Sequence, residues 1–374
     1  MDILIRTPMA NTLDHTLLHL SLIPGIGPAT IERFTQNLTL EQLSHIYSFA
    51  KADFLSGIKL PEQTIEKIIA GLAQKELLEK ELELIDKHDI AWSTILSNSY
   101  PTILKSIHLA PTILYWQGEL EYEKEKTIAC VGSRKSNFYG NDVINYLVPE
   151  LLEDNWTLVS GGALGIDTLV HKKALQQKGK TYAVLGSGLL KPYPASNSFL
   201  FKEIAASGGA VISSFPLQQE PLAGNFPSRN RIIAGLSKAC LVVQAAEKSG
   251  ALITARFALE QGREVCAVPG SILDPLSKGC NQLIGQGATP IIEPGDILKA
   301  LGYLDNKKKY EQKTIALELT FSQKITVLCE KAKSFDELLV LLECSEQELQ
   351  EELFTLQLSG IVEQNFMGHW QKSY

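Results

Sequence analysis

The stretch Thr157-Leu-Val-Ser-Gly-Gly-Ala-Leu-Gly-Ile-Asp167 decides the fold of this chain. Its first four residues form a short apolar run that predicts a buried strand, three glycines follow within five residues, and a helix is expected to begin near Ile166. A strand that leads through a glycine loop into a helix is the repeating unit of a parallel sheet. The sequence therefore indicates an α/β fold in the middle of the chain.

The same alternation of short β-rich runs and helical segments extends across the middle of the sequence. Strands are predicted at residues 128–131, 157–160, 182–185, 210–213, 240–243, 265–268 and 290–292. Helices are predicted between them at residues 141–153, 166–177, 197–206, 231–236, 251–261 and 281–287. This pattern is typical of a Rossmann-like, doubly wound, mostly parallel sheet, which binds ligands outside the carboxyl ends of its strands.

The length of 374 residues suits two or three domains. Residues 1–84 are predicted to form a helical domain of the SAM-like or helix-hairpin-helix type, because apolar residues recur at helical spacing around the turn Pro24-Gly-Ile-Gly-Pro28. The glycines of that turn suit either a purely structural turn or a weak DNA contact. Residues 85–304 form the predicted Rossmann-like DNA-binding domain, and the polar residues 305–320 form a linker.

Residues 321–374 are predicted to form a winged-helix domain. The capping-box patterns Ser334-Phe-Asp-Glu337 and Ser345-Glu-Gln-Glu348 each open a helix, and residues 361–366 and 370–372 indicate a hairpin. Eight acidic residues and no Lys or Arg stand between residues 334 and 363. Because such a surface repels phosphate, the sequence favours a partner-binding or structural role for this domain over DNA binding.

The net charge of −7 argues against a protein that coats nucleic acid indiscriminately, because phosphate binding depends on Lys and Arg. The charge is unevenly distributed. Five basic residues stand against one acid between residues 226 and 256, and four lysines with no acid lie between residues 171 and 180. A basic centre and an acidic tail indicate different partners for the two parts.

The cysteines and histidines give no sign of a metal site or a disulfide framework. No Cys-x-x-Cys pair occurs among the six cysteines, and Cys130, Cys240 and Cys266 fall in predicted strands, which suggests reduced core thiols. His15 and His19 have helical metal-ligand spacing without a third ligand. The first 20 residues lack an apolar run of signal-peptide or membrane-spanning length, so a cytoplasmic protein without membrane contact is expected.

The candidate binding residues follow predicted strands. Gly132, Ser133 and Arg134 come after the first strand, where a glycine permits close approach of a ligand and an arginine forks two donors onto a phosphate. Further candidates occur after later strands or in the lysine-rich helix that begins near residue 166: Gly161, Gly162, Gly165, Lys173, Ser249 and Gly250. Together they predict an anion site at one edge of the sheet.

The segment Phe226-Pro-Ser-Arg-Asn-Arg231 is the sharpest indication of a ligand. Aromatic rings stack bases of any sequence and arginines hold the backbone, a combination typical of single-stranded nucleic-acid binding. Phe226, Arg229, Asn230 and Arg231 are therefore expected in one DNA-binding loop and helix start. The alternative is that Phe226 packs inward and the arginines form ion pairs.

The same residues do not fit a dinucleotide cofactor or a catalytic site. Ser160 occupies the position of the first glycine in a G-x-G-x-x-G fingerprint, and no ribose-binding acid follows the next strand, so no cofactor is expected. His171 is the only histidine between residues 119 and 368, and no serine has a clear His and Asp partner. Asp167 suits a helix N-terminus better than acid catalysis. We expect a binding protein rather than an enzyme.

The ordered motifs resemble the DNA processing protein A (DprA/Smf) family. They are Tyr100-Pro101, Val131–Arg134, Ser160–Asp167, Tyr193-Pro194, Phe226–Ser237, Ser249–Thr254 and Val268–Gly270. The resemblance covers about residues 99–287. It implies a mediator that captures single-stranded DNA during natural transformation, shields it from nucleases, loads the RecA recombinase and forms a homodimer through the Rossmann-like domain. It also implies that Arg134 contacts the DNA backbone and that residues 226–231 form the stacking loop.

The competing hypothesis is a nucleotide-processing enzyme similar to the lysine-decarboxylase-like phosphoribohydrolases, which use a related sheet. Such enzymes carry a Pro-Gly-Gly-x-Gly-Thr motif with a catalytic glutamate. The corresponding stretch here, Val268-Pro-Gly-Ser-Ile-Leu-Asp274, does not match it.

Overall fold

A computed structural model describes residues 12–58, 60–121, 126–303, 321–329, 332–342, 344–365 and 368–373. The chain divides into two compact units, Met1–Leu301 and Gly302–Tyr374. The boundary predicted between residues 84 and 85 lies inside the first unit and stays a prediction. The linker predicted at residues 305–320 lies outside the described residues.

The first unit begins with a bundle of helices. Its elements are α1 (Thr12–Leu22), α2 (Pro28–Asn37), α3 (Leu40–Ser44), a 3-10 turn (Ile46–Ser48), α4 (Lys51–Gly57), α5 (Glu62–Ala73) and α6 (Lys75–Lys87). The predicted turn between α1 and α2 is present: Gly25 has a φ of 83°, a conformation that glycine adopts without strain, and Pro28 opens α2. Leu17, Phe34 and other buried bundle residues share one apolar core with Leu185 and Phe201 of the sheet region.

A nine-stranded sheet forms the centre of this unit. The strands are β1 (Ala91–Thr94), β2 (Ile113–Gly118), β3 (Thr127–Val131), β4 (Thr157–Ser160), β5 (Thr181–Val184), β6 (Ala210–Ser213), β7 (Ala239–Val242), β8 (Glu264–Ala267) and β9 (Thr289–Pro290). Their order is β1-β2-β6-β5-β4-β3-β7-β8-β9. The seven strands from β3 onward are parallel and confirm the predicted Rossmann-like sheet. The antiparallel strands β1 and β2, at one side of the sheet, were not predicted.

The chain winds in both directions from β3. It runs outward through β4, β5 and β6, returns across the sheet, and continues from β7 next to β3. The helices of this part are α7 (Thr102–Lys105), α8 (Phe138–Glu153), α9 (Ile166–Gln176), α10 (Ser198–Ala206), α11 (Asn225–Gly235), α12 (Gly250–Glu260), α13 (Lys278–Gly285) and α14 (Asp296–Ala300); a 3-10 turn (Ala195–Asn197) precedes α10. The reversal between β3 and β7 is the switch point at which such sheets bind ligands.

Helix α11 begins earlier than the sequence indicated. The predicted helix started at Arg231, after a loop, whereas the observed helix starts at Asn225 and includes Phe226, Pro227 and Arg229. A proline in the first turn of a helix is compatible with helical geometry, because the first N–H groups have no partner within the helix. The expected stacking loop is therefore a helix, and its residues point in several directions.

The second unit contains the helices Phe321–Leu328, Phe335–Leu342 and Glu346–Leu358, followed by the antiparallel strands β10 (Val362–Gln364) and β11 (Trp370–Lys372). Both predicted capping boxes are present: Ser334 and Glu337 exchange hydrogen bonds, as do Ser345 and Glu348. Ile325, Leu338, Leu349 and Leu353 form its core.

Cys130, Cys240 and Cys266 are buried in strands as predicted, without a disulfide partner. Burial raises the pKa of Cys266 to about 12, so this thiol stays protonated and unreactive. His15 and His19 both lie on α1; His15 stacks on Trp92, and His19 contacts Tyr47 and the carbonyl of Gln74. Within the described ranges, no helix is long and apolar enough to cross a membrane.

Candidate nucleic-acid interface

The loops after β3, β4 and β7 meet at the switch point and line a cavity of about 550 Å³. Four cationic side chains contribute to its lining: Arg134, Lys135, Arg229 and Lys248. Among the described residues that line it, Asp167 carries the only carboxylate. The cavity is therefore suited to an anionic ligand.

The loop after β3 is fixed from two sides. Ser133 donates its backbone N–H to the carbonyl of Gln244, 2.7 Å away, and accepts a backbone hydrogen bond from Ile166. A Cβ at Gly132 would stand 2.6 Å from the Ile166 side chain, so glycine is needed here for close packing of the loop on α9. Arg134, in contrast, is exposed. The three predicted residues thus divide into a buried anchor and one residue that faces solvent.

The glycine loop after β4 does not form the free anion cradle that the sequence predicted. The Asp167 carboxylate lies inside the loop and accepts the backbone N–H groups of Gly161 and Ala163 at 3.1 and 3.4 Å. Gly162 and Gly165 have positive φ angles, and a Cβ at Gly165 would stand 2.2 Å from the carbonyl oxygen of Ser133. The glycines therefore bring loop and helix together, and a carboxylate of the chain itself fills the anion position.

Arg229 is not a surface contact, which corrects its predicted role. Its side chain is only 4% exposed and donates hydrogen bonds to the carbonyls of Gly161 and Val184. Burial lowers the pKa of Arg229 to about 10 and raises the pKa of Asp167, while each charge favours the other. The buried arginine holds the loops after β4 and β5 in place.

Asn230 and the start of α12 form the third wall of the cavity. The Asn230 amide donates to the carbonyl of Gly250 and accepts a hydrogen bond from Arg229 Nε. Ser249 caps α12 by accepting the N–H of Ala251. A Cβ at Gly250 would meet nothing within 4 Å, so the backbone there is open to a ligand. Ser249 and Gly250 lie where the sequence predicted, and Asn230 supports them from inside.

An aromatic and cationic cluster lies beside the cavity. The Arg134 guanidinium carbon is 5.3 Å from the centroid of the Phe226 ring, and the Tyr193 ring meets Phe226 edge-on at 5.8 Å. Tyr193 is 45% exposed and Phe226 is half-buried. This cluster joins a partly open aromatic surface to a cation, as the sequence predicted for Phe226 and Arg134.

Lys173 and Arg231 lie away from both the switch-point cavity and this cluster. Lys173 is seven residues into α9, about 10 Å along the helix axis from the strand tips, and it donates to Asn145 on α8. Arg231 faces the opposite side of α11 and lines a different cavity. Helical geometry separates both residues from the switch-point cavity, which sequence proximity could not reveal.

Lys135, Lys248, Tyr193 and Phe138 were missed as candidates. Lys135 and Lys248 line the cavity and are exposed, and Phe138 at the start of α8 exposes 90% of its side chain. Lys135 directly follows the Gly-Ser-Arg motif, and Phe138 follows three residues later. The signal for both was their position just after a predicted strand.

Fold and cavity together define a Rossmann-like α/β protein with a basic, aromatic-edged cleft at the carboxyl ends of its strands. The family model for DNA recombination-mediator protein A matches residues 91–302. The chain belongs to this family, also known as DprA/Smf.

Two relatives agree with this assignment. The chain is 38% identical over 279 residues to DNA processing protein DprA of Bacillus subtilis, covering 73% of this chain and 94% of that protein. It is 46% identical to protein Smf of Escherichia coli over 207 residues, a match that spans 55% of each chain.

Two solved structures are similar. The X-ray structure of DprA from Streptococcus pneumoniae superposes with a TM-score of 0.65 and 34% identity, covering 77% of this chain and 97% of that one. The second, at a TM-score of 0.51 and 28% identity, covers 57% of this chain and 96% of DNA processing protein A from Helicobacter pylori, which was studied for its single-stranded DNA binding mode.

Proposed function

We propose that the cavity at the switch point binds single-stranded DNA. The observation that carries this proposal is the Arg134 guanidinium over the Phe226 ring, at the edge of a cavity lined by four cations and one carboxylate. In a duplex the faces of the bases are stacked on one another, whereas an unpaired base can stack on Phe226 or Tyr193. Arg134, Lys135 and Lys248 would then neutralise the phosphates on either side.

The exposed ring of Phe138 extends this surface along the same edge of the sheet. It lies three residues after Lys135. Because 90% of its side chain is exposed, Phe138 has no role in packing the core. We assign Phe138 to a second stacking position, which a strand of several nucleotides reaches after it passes Lys135.

The family membership supports a wider role as a recombination mediator. In this role the protein captures single strands in the cytoplasm during natural transformation, protects them and loads RecA onto them. The test is the rate of RecA filament formation on single-stranded DNA in the presence and absence of this protein. An unchanged rate contradicts the loading role without affecting DNA binding itself.

Homodimer formation through the Rossmann-like unit is also part of the proposal. The region around β8 and β9 exposes Leu259 and Ile292, at 70% and 71% of their side chains, next to the edge strand. Exposed apolar side chains at a sheet edge are a common feature of association surfaces. Sedimentation of the wild type and of Ile292→Asp tests this: the wild type should sediment as a dimer and the variant as a monomer.

We propose that the second unit is a winged helix that engages a protein or acts structurally. Its last helix carries Glu346, Glu348, Glu351 and Glu352, and it exposes Phe354 and Leu358 on its outer surface. Acidic and apolar side chains together disfavour phosphate and suit a protein surface.

We further propose that the protein is not an enzyme. The alternative, a phosphoribohydrolase-like activity, requires a catalytic carboxylate facing the ligand, whereas the cavity's Asp167 is committed to the backbone N–H groups of Gly161 and Ala163. Release of a free base from a nucleoside monophosphate would support the enzyme hypothesis.

Titration of labelled single-stranded and duplex oligonucleotides at several salt concentrations tests DNA binding. We expect preference for the single strand and a logarithmic salt slope of about −0.7 for each phosphate contacted. Equal affinity for single-stranded and duplex DNA, or an affinity that does not change with salt concentration, contradicts the proposal.

A further inference from the structure

A second cavity of about 450 Å³ lies on the other side of α11. Helix α11 forms a wall of both cavities. Asn225, Ser228 and Arg231, spaced three residues apart, line the second cavity, while Arg229 and Asn230 line the first. The opposite wall of the second cavity is the glycine turn between α1 and α2.

The second cavity contains donors that lack acceptors. Arg231 Nε and Asn225 Nδ2 are fully shielded from solvent and have no hydrogen-bond partner among the described residues. The described ion pairs do not include Arg231, and no carboxylate occurs in the cavity's described lining. Arg231 is partly buried, and this burial lowers the pKa of its guanidinium, because shielding from water disfavours the charged form. The Arg231 guanidinium therefore lines the second cavity with no carboxylate of the described lining to neutralise it.

The turn on the opposite wall leaves room for such an anion. A Cβ at Gly25 or at Gly27 would meet nothing within 4 Å, so the backbone of the turn borders open space. The ten-residue helix α2 begins directly after it, and its N-terminus favours negative charge. Ser214 and Ser228 also belong to the lining of this cavity.

We propose that this second cavity binds a phosphodiester of the same DNA strand that occupies the switch-point cavity. The proposal rests on the proposed function. A helix with its side chains is about 10 Å across, so the two cavities on either side of α11 lie within the span of a few nucleotides. Phosphate is the shared chemistry, and its alternative source is a free phosphate or nucleotide.

The test compares oligo-dT of about 6 and about 20 nucleotides, lengths that bracket the site sizes of single-strand-binding folds. The wild type should bind the longer strand more tightly. Arg231→Gln should lose about tenfold in affinity for the longer strand, with a salt slope reduced by about 0.7, and should bind the shorter strand normally. Arg256→Gln, which changes an exposed arginine paired with Glu260, is the matched control and should bind both like the wild type.

Asn225→Asp guards against misfolding as an explanation. This substitution has nearly the same shape and places a carboxylate in the same cavity as Arg231. It should leave the thermal midpoint unchanged or higher, yet it should lose the same affinity for the longer strand. If the two variants lose affinity equally for the shorter and the longer strand, or if neither variant loses affinity, the second site is wrong.

Two further outcomes separate this inference from the proposed function. Loss of binding in Arg134→Ala at both lengths, with a length-dependent loss in Arg231→Gln, supports both. Normal binding in Arg134→Ala with a length-dependent loss in Arg231→Gln supports the second cavity and removes Arg134 from the switch-point site. If inorganic phosphate raises the thermal midpoint of the wild type but not of Asn225→Asp, while strand length has no effect on affinity, the occupant is a small anion and the strand proposal is wrong.

Discussion

Asp167 and Arg229 hold Gly161 from opposite sides. The Asp167 carboxylate accepts the N–H of Gly161 at 3.1 Å, and the Arg229 guanidinium donates to the carbonyl of the same residue. Arg229 also donates to the carbonyl of Val184 at 2.7 Å. The loops after β4 and β5 and the start of α11 are thereby locked together, so Phe226 and Arg134 meet in a preformed arrangement.

Replacement of Arg229 by Ala should destabilise the fold. It leaves the buried Asp167 carboxylate uncompensated and removes the donor to two buried carbonyls, a loss of about 3 kcal/mol in the free energy of unfolding. Urea denaturation measures it. The exposed Arg256→Ala, the control, should change stability by less than about 0.5 kcal/mol. A wild-type midpoint for Arg229→Ala would mean that Arg229 has no structural role.

Replacement of Arg134 by Ala should weaken DNA binding without a loss of stability, because this side chain is exposed. We expect a cost of about 1–3 kcal/mol in binding free energy for any sequence, as for a lost charge-assisted contact. Fluorescence anisotropy with single-stranded oligonucleotides measures it. Arg256→Ala again serves as the control, and an affinity unchanged in Arg134→Ala would remove this residue from the site.

The Phe226 ring should contribute through its π-face rather than through its volume. Phe226→Leu keeps an apolar side chain in the half-buried position but should lose about 1–3 kcal/mol of binding free energy, whereas Phe226→Trp should retain binding. If the Phe226→Leu variant binds as well as the wild type, stacking is not the mode of recognition.

Phe138→Ala should weaken the binding only of strands that are long enough to reach this position. The high exposure of Phe138 predicts no loss of stability in this variant.

His171 should make stability dependent on pH below neutrality. Thr181 donates its hydroxyl to the Leu158 carbonyl and accepts from His171 Nδ1. The buried His171 Nε2 has no hydrogen-bond partner among the described residues, which favours the neutral ring. Burial lowers the pKa of His171 from 6.5 to about 3. Between these values the unfolded chain binds a proton that the folded protein does not, so stability falls as pH falls, by about 1.4 kcal/mol per unit.

The measurement is the difference in urea midpoint between the wild type and His171→Gln from pH 8 to pH 5. Burial raises the pKa values of Asp167 and Glu81, so these groups make the free energy of unfolding rise as pH falls. Both groups are present in the wild type and in the variant, so their effect cancels in the difference. The wild type should lose stability relative to the variant only below about pH 6.5, the ordinary pKa of histidine. A constant difference would show that His171 titrates normally in the folded protein.

Much of the fold could be predicted because strand and helix periodicities are local. All seven parallel strands were recognised from short apolar runs, which both-face burial requires. The antiparallel strands β1 and β2 were not predicted, because they precede the alternation of strands and helices from which the parallel strands were recognised. The start of α11 was misplaced because Pro227 resembles a loop signal yet fits a first helical turn.

The sequence by itself determined which residues gather at the switch point, because parallel strands place their carboxyl ends on one edge. It thus predicted Arg134, Phe226, Ser249 and Gly250 near one another. Only the tertiary structure decided which charges face solvent. Successive helical residues point in directions about 100° apart, so neighbours in one motif are separated: Arg229 is buried against carbonyls, and Arg231 enters another cavity.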